Sequence, residues 1–87
     1  MHFVYVLRCA DNALYIGETP NLASRFSKHN EGSASQFTAQ RRPVSLVYAE
    51  KHSDRKAALL RERQLKGWSR SKKEALVAGD LPLLKRL

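Results

Sequence analysis

The 87-residue chain has one cysteine, four glycines, three prolines and no apolar run near the roughly 18 residues that a membrane-spanning helix needs. A lone Cys9 makes no internal disulfide and seeds no thiolate metal cluster, so it reads as a small apolar filler. With so little Gly and Pro, and with 43% apolar and 28% charged residues, the chain is not a disordered tail. Met1-His2 leads straight into a strand-like run without a signal-peptide layout, and the expectation is a cytoplasmic protein. No repeat, linker or low-complexity segment interrupts residues 1–87, which read as a single domain with a single core.

Acidic residues are also scarce. Eight Asp and Glu stand against sixteen Lys and Arg, a formal net charge of +8. Such an excess on a small domain creates a field that attracts polyanions. The field is uneven: residues 1–43 carry five Lys/Arg against three Asp/Glu, residues 44–87 eleven against five. The expected helices alternate charge sign and lack a broad apolar face, which argues against a membrane surface. Nucleic acid is the favoured partner, although an acidic protein would feel the same field.

What is present begins with a hairpin. Phe3-Val4-Tyr5-Val6-Leu7 has strand composition, Asp11-Asn12 supplies turn chemistry, and Leu14-Tyr15-Ile16-Gly17 returns as a second strand. A turn centred on residues 10–12 puts Tyr5 and Tyr15 on one face as cross-strand or diagonal neighbours. Thr19 then caps a helix with Pro20 at its first position and Gly32 at its end. Arg25 and His29, four apart, share a face of that helix beside Leu22 and Phe26. Residues 33–43 have no period and read as a loop ending in Arg41-Arg42-Pro43. A third strand follows over Val44 to Glu50.

The longest helix is expected from Asp54 to about Trp68, opened by Ser53. Ala58 and Leu65 form its buried stripe, and Glu62, between them, borders that stripe. Ser71-Lys72-Lys73-Glu74 has capping-box spacing for a short helix to Ala78, and Asp80 caps a last segment whose Leu83, Leu84 and Leu87 cover the core edge.

Each candidate residue has an ordinary reading beside a chemical one. Strand tyrosines usually pack, and Glu62 has Lys66 four residues on, in the favourable orientation for a surface pair. Against this, Arg25 offers a phosphate fork, His29 a proton near neutral pH, and Glu62 a hard carboxylate for Mg2+. The basic pair Arg41-Arg42 and the cluster Arg70, Lys72 and Lys73 are either nucleic-acid backbone contacts or a solvated face. Trp68 reads as a core anchor.

The ordered set Phe3-Val4-Tyr5, Tyr15-Ile16-Gly17, Arg25, His29 and Glu62 resembles the GIY-YIG nuclease superfamily. Tyr15 to Arg25, Arg41 to Val44 and Leu65 to Leu76 resemble in particular its small single-domain YhbQ-like subgroup. The resemblance implies an α/β (α+β) sandwich with a central three-stranded antiparallel sheet flanked by helices. It implies a divalent-metal-dependent endonuclease, acting on DNA in repair or processing. Carried over by position, Tyr5 and Tyr15 jointly activate or orient the attacking water, and Arg25 binds the scissile phosphate. His29 assists proton transfer, and Glu62 holds Mg2+ or Mn2+. A free phenol is a weak base at pH 7 unless a cation lowers its pKa, a task expected of Arg25 or the metal.

Three departures stand out. Phe3-Val4 replaces the opening letters of the first motif, Glu18 follows Gly17 where some relatives carry Lys, and no Asn occurs after Asn30. The competing class is a non-catalytic nucleic-acid-binding module, or an adaptor, on the same fold. Either way no room for an appended targeting domain is expected, so target choice is expected to come from a protein partner supplying specificity, from DNA shape, or to be loose.

Overall fold

In the computed structural model, which describes residues 1–87, strand β1 (His2–Arg8) pairs antiparallel with β2 (Leu14–Thr19). Asn12 takes the left-handed conformation, φ 73°, that closes the turn, a geometry its short polar side chain tolerates. The third strand, β3 (Ser45–His52), pairs with the other edge of β1, giving the order β2-β1-β3. A bulge at Val47 shifts the register between Val6 and Leu7.

Alternation along β1 divides the molecule into two layers. Val4 and Val6 point to one face, where helices α3 (Arg55–Lys66) and α4 (Arg70–Ala78) bring Ala58, Leu65 and Leu76. Tyr5 and Leu7 point to the other, where Leu22 and Phe26 of α1 (Leu22–Glu31) cover them together with Cys9 and Val44. Cys9 is buried, as a filler should be. Trp68 packs against the first cluster, with Lys72 Nζ 4.5 Å from its ring centroid.

Four assignments differ from expectation, and a side-chain cap marks each. Thr19 remains the last residue of β2, and the α1 cap passes to Asn21, whose Oδ1 accepts from Ser24 N at 3.0 Å. Residues 33–43 contain a one-turn helix, α2 (Gln36–Ala39), capped by the Ser35 hydroxyl. Ser69, not Ser71, caps α4, because Glu74 is drawn away to Arg8 and Arg70. Asp54 rather than Ser53 caps α3, and Gly67 closes it. Asp80 caps α5 (Leu81–Arg86) as expected, and there Leu84 packs on the core edge while Leu87 stays half exposed.

Asn30 ties α1 to the start of β3, its side-chain amide accepting from Val44 N at 2.9 Å and donating to Val44 O at 3.2 Å. No helix is long and apolar enough to cross a membrane.

Candidate active site

Register decides what the tyrosines face. Tyr5 lies directly opposite Gly17, and Tyr15 opposite Leu7, so the two phenols are diagonal neighbours on the α1 face, ring centroids 6.4 Å apart. His29 comes down on both from α1, 5.7 Å from the Tyr5 ring and 5.0 Å from the Tyr15 ring. Its Nε2 is 2.8 Å from Tyr5 Oη, and its Nδ1 is 2.8 Å from Thr38 Oγ1 on α2. His29 and Thr38 are fully buried and Tyr5 is 2% exposed, whereas Tyr15 is only half-buried.

Gly17 makes the arrangement sterically feasible. A Cβ there would stand 2.4 Å from Tyr5 Oη, so only glycine lets the phenol lie across β2.

Arg25 on its own does not make the phenol acidic. Burial and the neighbouring Tyr15 push Tyr5 up to about 12, outweighing the Arg25 guanidinium beside it, and the Glu62 carboxylate adds to the rise. His29 is moved the other way: burial, then Arg25, hold it below the ordinary imidazole value. The pocket thus favours a neutral phenol against a neutral imidazole.

Arg25 is half-buried and has no carboxylate partner, since the ion pairs of the protein are formed by other cations. Glu62 lies on the sheet-facing side of α3 and is one-fifth exposed. It reaches Tyr5 electrostatically although α3 and the phenol belong to opposite faces of the sheet; α3 packs on β1 and on the edge strand β2, which brings the carboxylate toward that edge. Its one ionic contact is Lys66 Nζ at 3.5 Å, long for a charge-assisted hydrogen bond. No group of three His, Cys, Asp or Glu side chains gathers around it. A solvent-reached carboxylate without tight partners suits Mg2+, which commonly takes one or two carboxylates and completes its shell with water and phosphate oxygens. Glu18, by contrast, shares the α3 face with Ile16, and its Oε1 is 4.0 Å from Arg55 Nε.

A groove of about 220 Å3 runs along the outer edge of β2, lined by Leu14, Tyr15, Ile16, Phe37, Lys66 and Lys73. Phe37 is 40% exposed and its ring centroid is 5.9 Å from that of Tyr15.

The other basic candidates are largely engaged within the protein. Arg41 pairs with Asp11 at 3.0 Å and lies 3.9 Å over the Phe37 ring. Arg42 donates to the carbonyls of Ala39 and Asn30 at 3.0 and 3.4 Å. Arg70 pairs with Glu74 at 2.8 Å and donates to Asn12 O at 2.6 Å. Lys73 reaches the groove, and Lys72 lies over Trp68.

Thr38 and Phe37 belong to this neighbourhood without having been singled out by sequence reasoning, while Gly17 was read only as a motif letter and Lys66 only as a partner for Glu62. The Gly17 requirement depends on cross-strand register. Thr38 carried one faint signal, the Ser35 cap three residues before it.

The family model described as the GIY-YIG catalytic domain matches residues 1–75. A UPF0213 protein of Natronomonas pharaonis is 46% identical over 79 residues, covering 91% of this chain and 93% of the relative. One from Staphylococcus haemolyticus is 42% identical over 76 residues, 87% and 93% of the two chains. Among solved structures, the solution NMR structure of a UPF0213 protein from Bacillus halodurans is similar with a TM-score of 0.59 and 36% identity, covering 88% of this chain and 82% of that one.

Proposed function

The chain belongs to the GIY-YIG family, among its small UPF0213 proteins, and from that premise we propose that it is a divalent-metal-dependent DNA nuclease hydrolysing phosphodiester bonds in repair or processing. The observation that carries the proposal is Arg25: a half-buried guanidinium without a carboxylate, standing beside a buried phenol that is hydrogen-bonded to a histidine. A cation so sheltered is normally paired, and a phosphate oxygen is the partner that this surface would take from solution.

The roles follow from position. Arg25 neutralises a non-bridging oxygen of the phosphodiester and orients it by its fork geometry. Tyr15, half-buried at the groove, and Tyr5, buried behind it, orient the attacking water. Its proton passes toward Tyr5 as the phenolic hydrogen shifts to His29 Nε2. The new bond joins the water oxygen to phosphorus. The bond to the leaving oxygen breaks with its electron pair, and that oxygen is reprotonated from solvent. Glu62 would hold Mg2+ or Mn2+, which when bound neutralises phosphate charge and polarises the leaving group. Lys66 and Lys73 flank the nucleotide path along the β2 edge, where exposed Phe37 offers a stacking surface.

A second reading has its own support. The Glu62–Lys66 contact at 3.5 Å is also the pair that a non-catalytic binding module would keep. One assay separates the two. Purified protein with Mg2+ or Mn2+ is expected to nick plasmid or branched DNA, and Glu62→Ala to abolish nicking while circular dichroism and DNA affinity are retained. Equal cleavage by wild type and Glu62→Ala, or retained binding without cleavage by either, would overturn the nuclease reading.

A further inference from the structure

We infer that Thr38 is a positioning residue that fixes His29 as the Nδ1–H tautomer, leaving Nε2 bare to accept the Tyr5 phenolic proton. The functional consequence rests on the nuclease reading above; the hydrogen-bond assignment does not.

A neutral imidazole has one donor nitrogen and one acceptor nitrogen, and the partners decide which is which. His29 is 0% exposed, so protein atoms must satisfy both of its nitrogens. On one side stands Tyr5 Oη, on the other Thr38 Oγ1, each at 2.8 Å. Either hydroxyl can donate or accept, and the next shell breaks the symmetry. Thr38 Oγ1 also lies 3.3 Å from the Ser35 carbonyl oxygen, which can only accept. If the Thr38 hydroxyl donates there, its lone pair takes the Nδ1 hydrogen, Nε2 becomes the acceptor, and Tyr5 donates to it. Every hydrogen in the chain then has an acceptor.

The reverse arrangement fails at Tyr5. With hydrogen on Nε2, Thr38 must donate to Nδ1 and give up its bond to the Ser35 carbonyl, which still accepts from Ala39 N at 2.9 Å. Tyr5, 2% exposed, would accept from His29 while its own hydrogen finds no second acceptor among the hydrogen bonds of the protein. A buried donor without a partner keeps its desolvation cost unreturned. The doubly protonated ring is disfavoured separately, because burial and the Arg25 charge oppose it. Around His29 the ionisable groups are Tyr5 from β1, Tyr15 from β2 and Arg25 from its own helix; none of them is a carboxylate that would stabilise an extra proton.

The polarity matters for the reaction. Tyr5 is held near 12 and cannot lose its hydrogen to bulk water at neutral pH, but a bare Nε2 gives that hydrogen a destination. As the hydrogen moves, the imidazolium that forms keeps its Nδ1–H on Thr38. α2, a single turn otherwise without buried side chains, thereby supplies the atom that orients the histidine.

The test is long-range 1H–15N NMR of the His29 ring in the intact protein, with Thr38→Val and Thr38→Ser as companions. Wild type should carry its imidazole hydrogen on Nδ1. Thr38→Val, nearly the same shape without an acceptor, should move it toward Nε2 and slow cleavage on the order of 100-fold, and Thr38→Ser should restore both. An Nε2–H wild type, or a Thr38→Val protein with the wild-type tautomer, would overturn the inference; the wild-type spectrum alone decides should the valine variant not fold. An Nδ1–H wild type in a protein that never cleaves DNA would support the assignment while removing the nuclease reading.

Discussion

The two faces of the central sheet come from the same strands and have been put to opposite uses. On the α3/α4 face, Val4, Val6, Ile16, Ala58, Leu65 and Leu76 close over one another, and the charges at its rim are paired. Glu50 accepts from Tyr48, His52 and Arg61 at 2.7, 2.7 and 3.0 Å. Glu74 takes Arg8 at 2.6 Å and Arg70 at 2.8 Å. On the α1 face the buried residues include Tyr5, His29 and Thr38, and the nearby Arg25 is left without an anion. The difference teaches that stability is concentrated on one side of β1, which leaves the other side able to hold polar groups and an unpaired cation.

The comparison is broken most directly by truncating the apolar side. Leu65→Ala removes a side chain with no exposure, and the cost should fall within about 2–5 kcal/mol for a buried Leu→Ala change, a large share of a small domain's stability. Denaturant titration measures it. Activity per folded molecule should change little, and a proportionate loss of both would mean that the faces are not separable.

Gly17→Ala attacks the other side with a single methyl. Its Cβ would meet Tyr5 Oη at 2.4 Å and Cζ at 2.5 Å, so the phenol has to leave its place against His29. Overpacking costs about 1–3 kcal/mol, but the loss of the proton path should slow cleavage by on the order of 100-fold, the opposite balance from Leu65→Ala. A variant with normal cleavage and a shifted Tyr5 would show that the phenol's position is unimportant.

How far the sequence foretold this division depends on the range of the interaction. The hairpin, α1, β3 and α3 were legible because strand composition, Asn12, Gly32 and the Ala58–Leu65 stripe act over a few residues. So was the placement of Tyr5 and Tyr15 on one face, although only the register settles that they are diagonal rather than directly cross-strand. The α2 turn was not, since four residues carry no period, nor was the Asn21 cap, since Thr19 was equally suited by type. Arg25 was expected to lower Tyr5, and it acts in that direction, but burial under α1 and the neighbouring Tyr15 are tertiary facts that outweigh it. Likewise Arg41 and Arg42 look free in sequence, yet Asp11, thirty residues away from Arg41, and two backbone carbonyls occupy them.

The paired rim offers the smallest and most sharply signed effect. Glu74 is held down to about 2 from an ordinary 4.5, chiefly by its hydrogen bonds from Arg8, with Arg70 adding to the effect against a smaller burial penalty. A carboxylate lowered on folding stabilises the native state above its unfolded pKa, and that contribution disappears as pH falls from about 4.5 toward 2. The side chain is one-third exposed, so solvent screening limits the pair to the scale of a surface ion pair, about 1 kcal/mol or less at neutral pH. Glu74→Gln should therefore melt slightly below wild type at pH 7, and the gap should close as both are titrated through that window. Arg25→Gln, on the other face, has no carboxylate partner to lose and should open no such gap. A gap for Glu74→Gln that stayed constant down to pH 2 would mean that packing, rather than charge, joins α4 to the end of β1.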